Sequence, residues 1–278
     1  AGVRQVVHTV HGFLFHDRTK GLYHAAALAA ERWTAFWSDH LLFQSEEDLA
    51  YATAHHFKEE DRLHLVGNGV DISYFDPAAN PQARAQRRHE LGWSDEDLVV
   101  GTVGRVVEEK GYLEFFDMAG RLARINDRVR FLVVGLFEPE QSDAVDPYAL
   151  ARDHGVEDRC QILQGRSDMP ALYAAMDVFV LASHREGLSK SLLEATAMSR
   201  AAVTCDIRGC REIVVEGQTG LLVPMRDAAA LQVAVSTLLE DKDLRRGMGA
   251  AGRQRVAEHY TESIVAKRLL EIYKNLDW

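Results

Sequence analysis

Two cations stand five residues apart between glycines in Gly104-Arg105-Val106-Val107-Glu108-Glu109-Lys110-Gly111, directly after an apolar run ending at Val103. Glycine lets main chain approach a ligand closely, a guanidinium fork fits two phosphate oxygens, and an ammonium acts as a point charge. The loop therefore reads either as a phosphate cradle or as a turn with ordinary surface cations. A second segment, Ala182-Ser183-His184-Arg185-Glu186-Gly187-Leu188-Ser189, leads into a helical stretch that carries Glu194. Main-chain N–H groups at Gly187, Leu188 and Ser189 would point out of that helix start, where an anion is favoured. Glu186 and Glu194 would reach different parts of one ligand, and neither is expected to face the anion. His11-Gly12 forms a third candidate, able to donate a hydrogen bond or carry a proton near neutral pH. With twelve histidines in the chain, a structural or solvated His11 stands beside that reading.

All three segments follow short Val/Leu/Ile-rich runs, and in an open parallel sheet ligands collect outside the carboxyl ends of strands. Strands are expected at Gln5–Val10, His40–Gln44, Leu63–Val66, Leu98–Val103, Arg130–Val134, Gln161–Leu163, Val178–Leu181, Ala201–Thr204 and Gly220–Val223. Helical spacing fills Tyr23–Trp37, Glu46–His55, Tyr112–Ala123, Tyr148–His154, Met169–Ala175, Lys190–Met198, Ala228–Leu239 and Ser263–Tyr273. Ser45 and Thr261 supply an oxygen acceptor, followed by acidic residues, at two helix starts. The alternation is that of an α/β protein layered on parallel sheets. The prolines at 77 and 81 and the polar run Gln82–His89 mark a boundary. Residues 1–80 then form a first, incomplete lobe and 81–258 a fuller Rossmann-like lobe. The last segment, 259–278, is a helix whose stripe of Val265, Leu269, Ile272 and Leu276 must pack, toward the first lobe. Trp33, Phe36 and Trp37 are expected to pack on the sheet, with a lipid headgroup region as the alternative. Residues 137–146 read as a solvated loop.

Composition narrows the classes. The formal charge of −10 argues against a nucleic-acid backbone as the main partner. Three cysteines without a CxxC pair suggest neither a disulfide scaffold nor a zinc site, and fit a reducing cytoplasm. Cys205 and Cys210 read as buried, idle thiols. No apolar run reaches the eighteen or so residues a membrane span needs, and the first residues lack a secretory signal pattern. A β-type run beginning almost at once, without an initiator Met, points to absent upstream sequence.

Taken together, His11-Gly12, Val66-Gly67-Asn68-Gly69-Val70-Asp71, Gly104-Arg105 with Lys110-Gly111, His184-Arg185-Glu186-Gly187-Leu188 with Glu194, and Glu216-Gly217-Gln218-Thr219-Gly220-Leu221-Leu222-Val223 resemble the retaining glycosyltransferases of family 4. The resemblance runs in the family's order over nearly the whole chain and implies the two-lobed GT-B fold. Within the family, Phe43-Gln44-Ser45-Glu46-Glu47-Asp48 and Arg208-Gly209-Cys210-Arg211-Glu212 resemble bacterial enzymes that build exopolysaccharide, capsule or lipid-linked oligosaccharide.

That resemblance implies a donor site for a UDP- or GDP-sugar. Arg105 and Lys110 would hold the diphosphate and stabilise charge as the sugar–phosphate bond breaks, helped by the amides of Gly187, Leu188 and Ser189. Gly12 and Gly104 would let main chain approach the donor. Glu186 would hold sugar hydroxyls, Glu194 the ribose, and Gly165 and Arg166 would flank the base, with the Arg166 side chain solvated or stacked. His11 would reach the reacting sugar from the other lobe. No metal and no cofactor beyond the nucleotide-sugar is implied, and the acceptor would be a saccharide or a polyprenyl-linked saccharide at the inner membrane face. Family members begin with a strand and glycine-rich loop that nothing before Ala1 supplies. Ser199-Arg200-Ala201 also replaces the usual Gly-x-Pro. Two other readings are a sugar-nucleotide epimerase or hydrolase and a non-catalytic nucleotide-sugar-binding module.

Overall fold

The computed structural model describes residues 2–15 and 19–276. A small parallel sheet joins β1 (Val7–Val10), β2 (His40–Phe43) and β3 (Leu63–Leu65) in chain order. The larger sheet contains β4 (Leu98–Val103), β5 (Val129–Val134), β6 (Cys160–Leu163), β7 (Val178–Leu181), β8 (Ala201–Cys205) and β9 (Gly220–Val223). Its order is β6-β5-β4-β7-β8-β9, every neighbour parallel. The chain starts mid-sheet at β4, winds outward to β6, then crosses back to β7. The strand order therefore reverses between β4 and β7, and a crevice for ligand opens at their carboxyl ends. β7 and β8 are buried along their whole length, which is why they read as unbroken apolar runs.

Helices α1 (Gly21–Trp37), α2 (Glu46–Ala54), α3 (Ala83–Glu90), α4 (Tyr112–Ile125) and α5 (Pro147–Asp153) are followed by α6 (Met169–Ala175), α7 (Lys190–Ala197) and the one-turn α8 (Cys210–Ile213). The chain closes with α9 (Ala228–Glu240), α10 (Lys242–His259) and α11 (Glu262–Lys274). Both expected caps form: Ser45 Oγ accepts from the Asp48 amide at 3.2 Å and Thr261 Oγ1 from the Ile264 amide at 3.3 Å.

Two local expectations are corrected, and one helix is present that the sequence spacing does not predict. Gln82–His89 is not a plain boundary run, because Ala83–Glu90 forms α3. Its Arg88 is wholly buried and makes a polar helix part of the core: it donates to Asp177 at 2.6 Å, to the Ala175 carbonyl at 2.9 Å and to the Asp97 carbonyl at 2.7 Å, while Asp177 also accepts from the Val99 amide. α10 was hidden by its glycines. Gly252 lies so close to α7 that a Cβ would stand 2.7 Å from the Thr196 methyl, so small size there serves helix packing. Residues 137–146 form a loop with no buried residue, as expected, and it is tied to the cation loop, the Glu108 amide donating to the Asp143 carbonyl and the Val145 amide to the Val106 carbonyl. Trp33, Phe36 and Trp37 do not pack on the sheet; they are 66%, 69% and 62% exposed and touch one another. The buried residues of α1 are Ala27 and Ala35, so small side chains face inward and the aromatics turn out.

After α10 the chain returns to the linker between the sheets. The Val70 amide donates to the Tyr260 carbonyl and the Glu262 amide to the Val70 carbonyl. α11 then lies beside β2 and β3, where His40, His64 and Leu65 share a cavity with Arg268, Ile272 and Leu276. Cys205 and Cys210 are buried and free, and burial pushes the Cys205 thiol up to about 12. Among the described residues no helix is long and apolar enough to cross a membrane.

Candidate active site at the strand-order reversal

The two cation- and carboxylate-bearing loops leave β4 and β7, the strands that flank the crevice. Lys110 points inward: its Nζ lies 2.8 Å from Glu186 Oε1, and Ser183 Oγ donates to the same oxygen at 2.7 Å. The Lys110 side chain is 23% exposed and that of Glu186 only 8%, so this pair is partly withdrawn from water. An ammonium has three donors, and one bond to Glu186 leaves two for an anion. Arg105 is exposed and, among the described residues, makes no side-chain hydrogen bond or ion pair. One cation is thus anchored and the other is open.

Leu188 and Ser189 are buried where the loop enters α7. Among the described residues, their main-chain N–H groups donate to no protein acceptor. A helix start with free amides carries partial positive charge, here on the same loop as Glu186. Glu194 lies on α7 itself and accepts from the Tyr173 hydroxyl at 2.9 Å. Burial raises its carboxyl above the usual range, against the lowering effect of the Tyr173 bond and of Lys190. Burial, with Glu194 alongside, pushes the Tyr173 hydroxyl well up, so it remains a donor.

His11 and Gly12 come from the other lobe and lie on this loop. A Cβ built at Gly187 would stand 2.0 Å from the His11 carbonyl oxygen, and one at Gly12 would stand 2.9 Å from the Gly187 Cα. Gly209, in the loop after β8, presses on the opposite side; its Cβ would stand 1.6 Å from the Gly187 carbonyl oxygen. Three main-chain segments cross here, and only glycines allow the approach. The His11 side chain is exposed. Gly165 sits at φ 63° in the loop after β6 and is exposed. Arg166 is exposed, in keeping with a solvated side chain, and its guanidinium pairs with Asp168 at 2.8 and 2.6 Å.

A cleft of about 450 Å³ opens between the lobes beside these groups. Leu14, Thr19 and Tyr23 line it on one side, and Glu108, Glu109, Asp143, His184, Arg185 and Arg226 on the other. It uses the neighbours of Lys110 and Glu186 rather than those residues. Arg185 pairs with Glu109; burial would raise the Glu109 carboxyl, but the Arg185 bond and charge, with Lys110 and Arg105, hold it low.

Several contributors were not singled out from sequence for this site. Ser183 and Tyr173 hold the two carboxylates, and Asn68 crosses from the linker to donate to the Leu188 carbonyl at 2.9 Å. Asn68 also accepts from the Gly69 amide, and Asp71 closes the next turn by accepting from the Ser73 and Tyr74 amides. Family spacing marked Asn68; nothing local revealed its distant acceptor.

The crevice at the strand-order reversal thus brings together a lysine, free helix-start amides and two held carboxylates. Residues 83–255 match the family model of glycosyl transferases group 1, and residues 1–74 match that of glycosyltransferase family 4. The chain belongs to the group 1 glycosyl transferases, of family 4 type and GT-B fold. It is 27% identical over 272 residues to the capsular polysaccharide biosynthesis glycosyltransferase CapM of Staphylococcus aureus, covering 96% of this chain and 69% of that protein. It is 28% identical over 236 residues to the N,N'-diacetylbacillosaminyl-diphospho-undecaprenol alpha-1,3-N-acetylgalactosaminyltransferase of Campylobacter jejuni, covering 84% of this chain and 59% of that protein. In fold it is similar to Anabaena HepE, solved in complex with UDP and glucose, at a TM-score of 0.86 and 20% identity over 98% of this chain and 72% of that one.

Proposed function

We propose that this protein transfers a hexose from a UDP- or GDP-linked donor to a saccharide acceptor, free or polyprenyl-linked, in surface-polysaccharide synthesis. The observation that carries this reading is the convergence of Arg105, the Lys110–Glu186 pair and the free amides before α7 at the strand-order reversal, with His11 laid across from the other lobe. Lys110, Arg105 and the amides would take the diphosphate, whose charge grows as the sugar leaves, so these donors favour the transition state over the ground state. Glu186, fixed by Ser183, would accept from sugar hydroxyls, and Glu194 from the ribose diol. Gly165 and the backbone beside Arg166 would meet the base. The acceptor would enter the cleft beside Tyr23, and its hydroxyl would attack from the face the phosphate leaves, passing its proton to the departing oxygen and retaining the anomeric configuration. No metal or further cofactor takes part in this scheme. The names of CapM and of the Campylobacter enzyme support a polysaccharide or lipid-linked acceptor. A lipid-linked acceptor would place the reaction at the inner membrane face, where the exposed Trp33, Phe36 and Trp37 are available for contact.

The test is turnover of the full chain with a panel of UDP- and GDP-hexoses, with and without saccharide and undecaprenyl-linked acceptors. Nucleoside diphosphate release that requires acceptor, with a product of unchanged anomeric configuration by NMR, is expected. Free sugar or an altered nucleotide-sugar without acceptor would make it a hydrolase or epimerase, and tight binding without turnover a binding module.

The ribose assignment has its own pH signature. An ionised Glu194 offers charge-assisted acceptance to both hydroxyls of a diol, which its protonated form weakens, so nucleoside diphosphate affinity should fall as pH drops through that raised value. Tyr173→Phe removes a bond that lowers it, so the fall should move to higher pH. Calorimetric titration with UDP and GDP from pH 5 to 8 measures the shift; an unchanged profile in the variant removes Glu194 from the ribose.

A further inference from the structure

The two stretches that resemble bacterial polysaccharide enzymes, residues 43–48 and 208–212, lie in different lobes and meet. The Glu212 carboxylate of α8 completes the Ser45 cap at the start of α2: it accepts from the Ser45 hydroxyl, from the Glu47 amide at 3.1 Å and, through its other oxygen, from the Glu46 amide at 3.1 Å. Free amides at a helix start favour a negative charge, and here the other lobe provides it. Two cations flank the contact. Arg211 forks onto Glu47 at 3.2 and 2.8 Å, and Arg208 approaches Asp48 at 3.3 Å while its guanidinium sits 4.9 Å from the Tyr51 ring centre. Asp48 and Arg208 are nearly buried, with side chains 4% and 11% exposed.

Between Arg208 and Arg211 stands Gly209, whose main chain supports Gly187, and Gly187 in turn carries His11. A continuous path of packed main chain thus runs from the α2 cap to the donor loop and back to β1. We propose that Glu212 is a positioning residue for the transfer reaction: by capping α2 from the opposite lobe it fixes the first lobe on the second and holds His11 over the donor loop. The proposal rests on the reading of the site as a sugar-transfer centre. Glu212 acts through α2 and is expected to touch neither donor nor acceptor.

The experiment compares the full-length native chain with Glu212→Gln, and with Ser45→Ala, which weakens the same contact from the other lobe and leaves the nucleotide lobe unaltered. Spin labels at the exposed positions Glu59 and Glu240 report the distance between lobes, calorimetry reports UDP and GDP affinity, and steady-state kinetics report kcat and KM. In Glu212→Gln the interlobe distance distribution should broaden and kcat fall about tenfold to a hundredfold, as small misplacements of reacting groups do. Nucleoside diphosphate affinity should stay within about twofold, because the groups that grip it lie in one lobe; a tenfold change is 1.4 kcal/mol. Ser45→Ala should move both readouts in the same direction and less far. An unchanged distance distribution with unchanged kcat overturns the proposal, and so does a loss of nucleotide affinity that accounts for the whole loss of rate. If the native chain binds no nucleotide, the transferase reading fails, while the spin-label distances still decide whether Glu212 joins the lobes.

Discussion

Replacing Arg105 and Lys110 together by alanine should weaken UDP or GDP binding by at least about a hundredfold while leaving the fold intact. Each charged hydrogen bond to the diphosphate contributes roughly 1.5–3 kcal/mol, and about 1.4 kcal/mol is a factor of ten in affinity. The two single substitutions should differ. Arg105 is exposed and without a side-chain partner among the described residues, so its loss removes only its own bond. Lys110 also neutralises Glu186, whose side chain is 8% exposed. Without Lys110 that carboxylate would keep only the Ser183 hydroxyl and leave an uncompensated negative charge beside the diphosphate site, so Lys110→Ala should be the more damaging. Calorimetry with both nucleotides measures the order, and equal affinity in all three variants would remove the diphosphate from this loop.

Gly187→Ala is expected to cost about a hundredfold in transfer, because a shift of about 1 Å in a reacting group is enough for such a loss. The added Cβ would stand 2.0 Å from the His11 carbonyl oxygen and 2.8 Å from its carbon. Both are main-chain atoms, so no flexible side chain can yield, and either the donor loop or the His11 loop must move. Thermal stability should fall as well, since the same crossing joins the lobes. Gly247→Ala on α10 is the control: a Cβ there meets nothing within 4 Å, and the change should be neutral or slightly stabilising. A Gly187→Ala variant with native kcat would show that the lobe crossing does not position the chemistry.

The site was legible where chemistry is local in sequence. The segments 104–111 and 182–189 announce themselves because each follows a largely apolar strand, and a parallel sheet gathers such ends on one edge. Their partnerships were not legible. That Lys110 meets Glu186, that Tyr173 holds Glu194 and that Glu212 caps α2 depend on separations of 76, 21 and up to 167 residues, which no spacing rule reports. α3 and α10 lack a clear sequence signal for opposite reasons: α3 is polar, with Arg88 serving as core, and the pattern of α10 is diluted by glycines, of which Gly252 packs tightly on α7. The outward aromatics of α1 show the limit of reading burial from residue type alone, since alanines rather than tryptophans meet the sheet.

A crystal of this protein soaked with UDP tests the central claim most directly. The diphosphate is predicted to lie within hydrogen-bond distance of Lys110 Nζ and the Arg105 guanidinium, with the ribose hydroxyls on Glu194 and the amides before α7 directed at phosphate oxygens. Nucleotide bound elsewhere, or bound with both cations left facing solvent, would contradict the account.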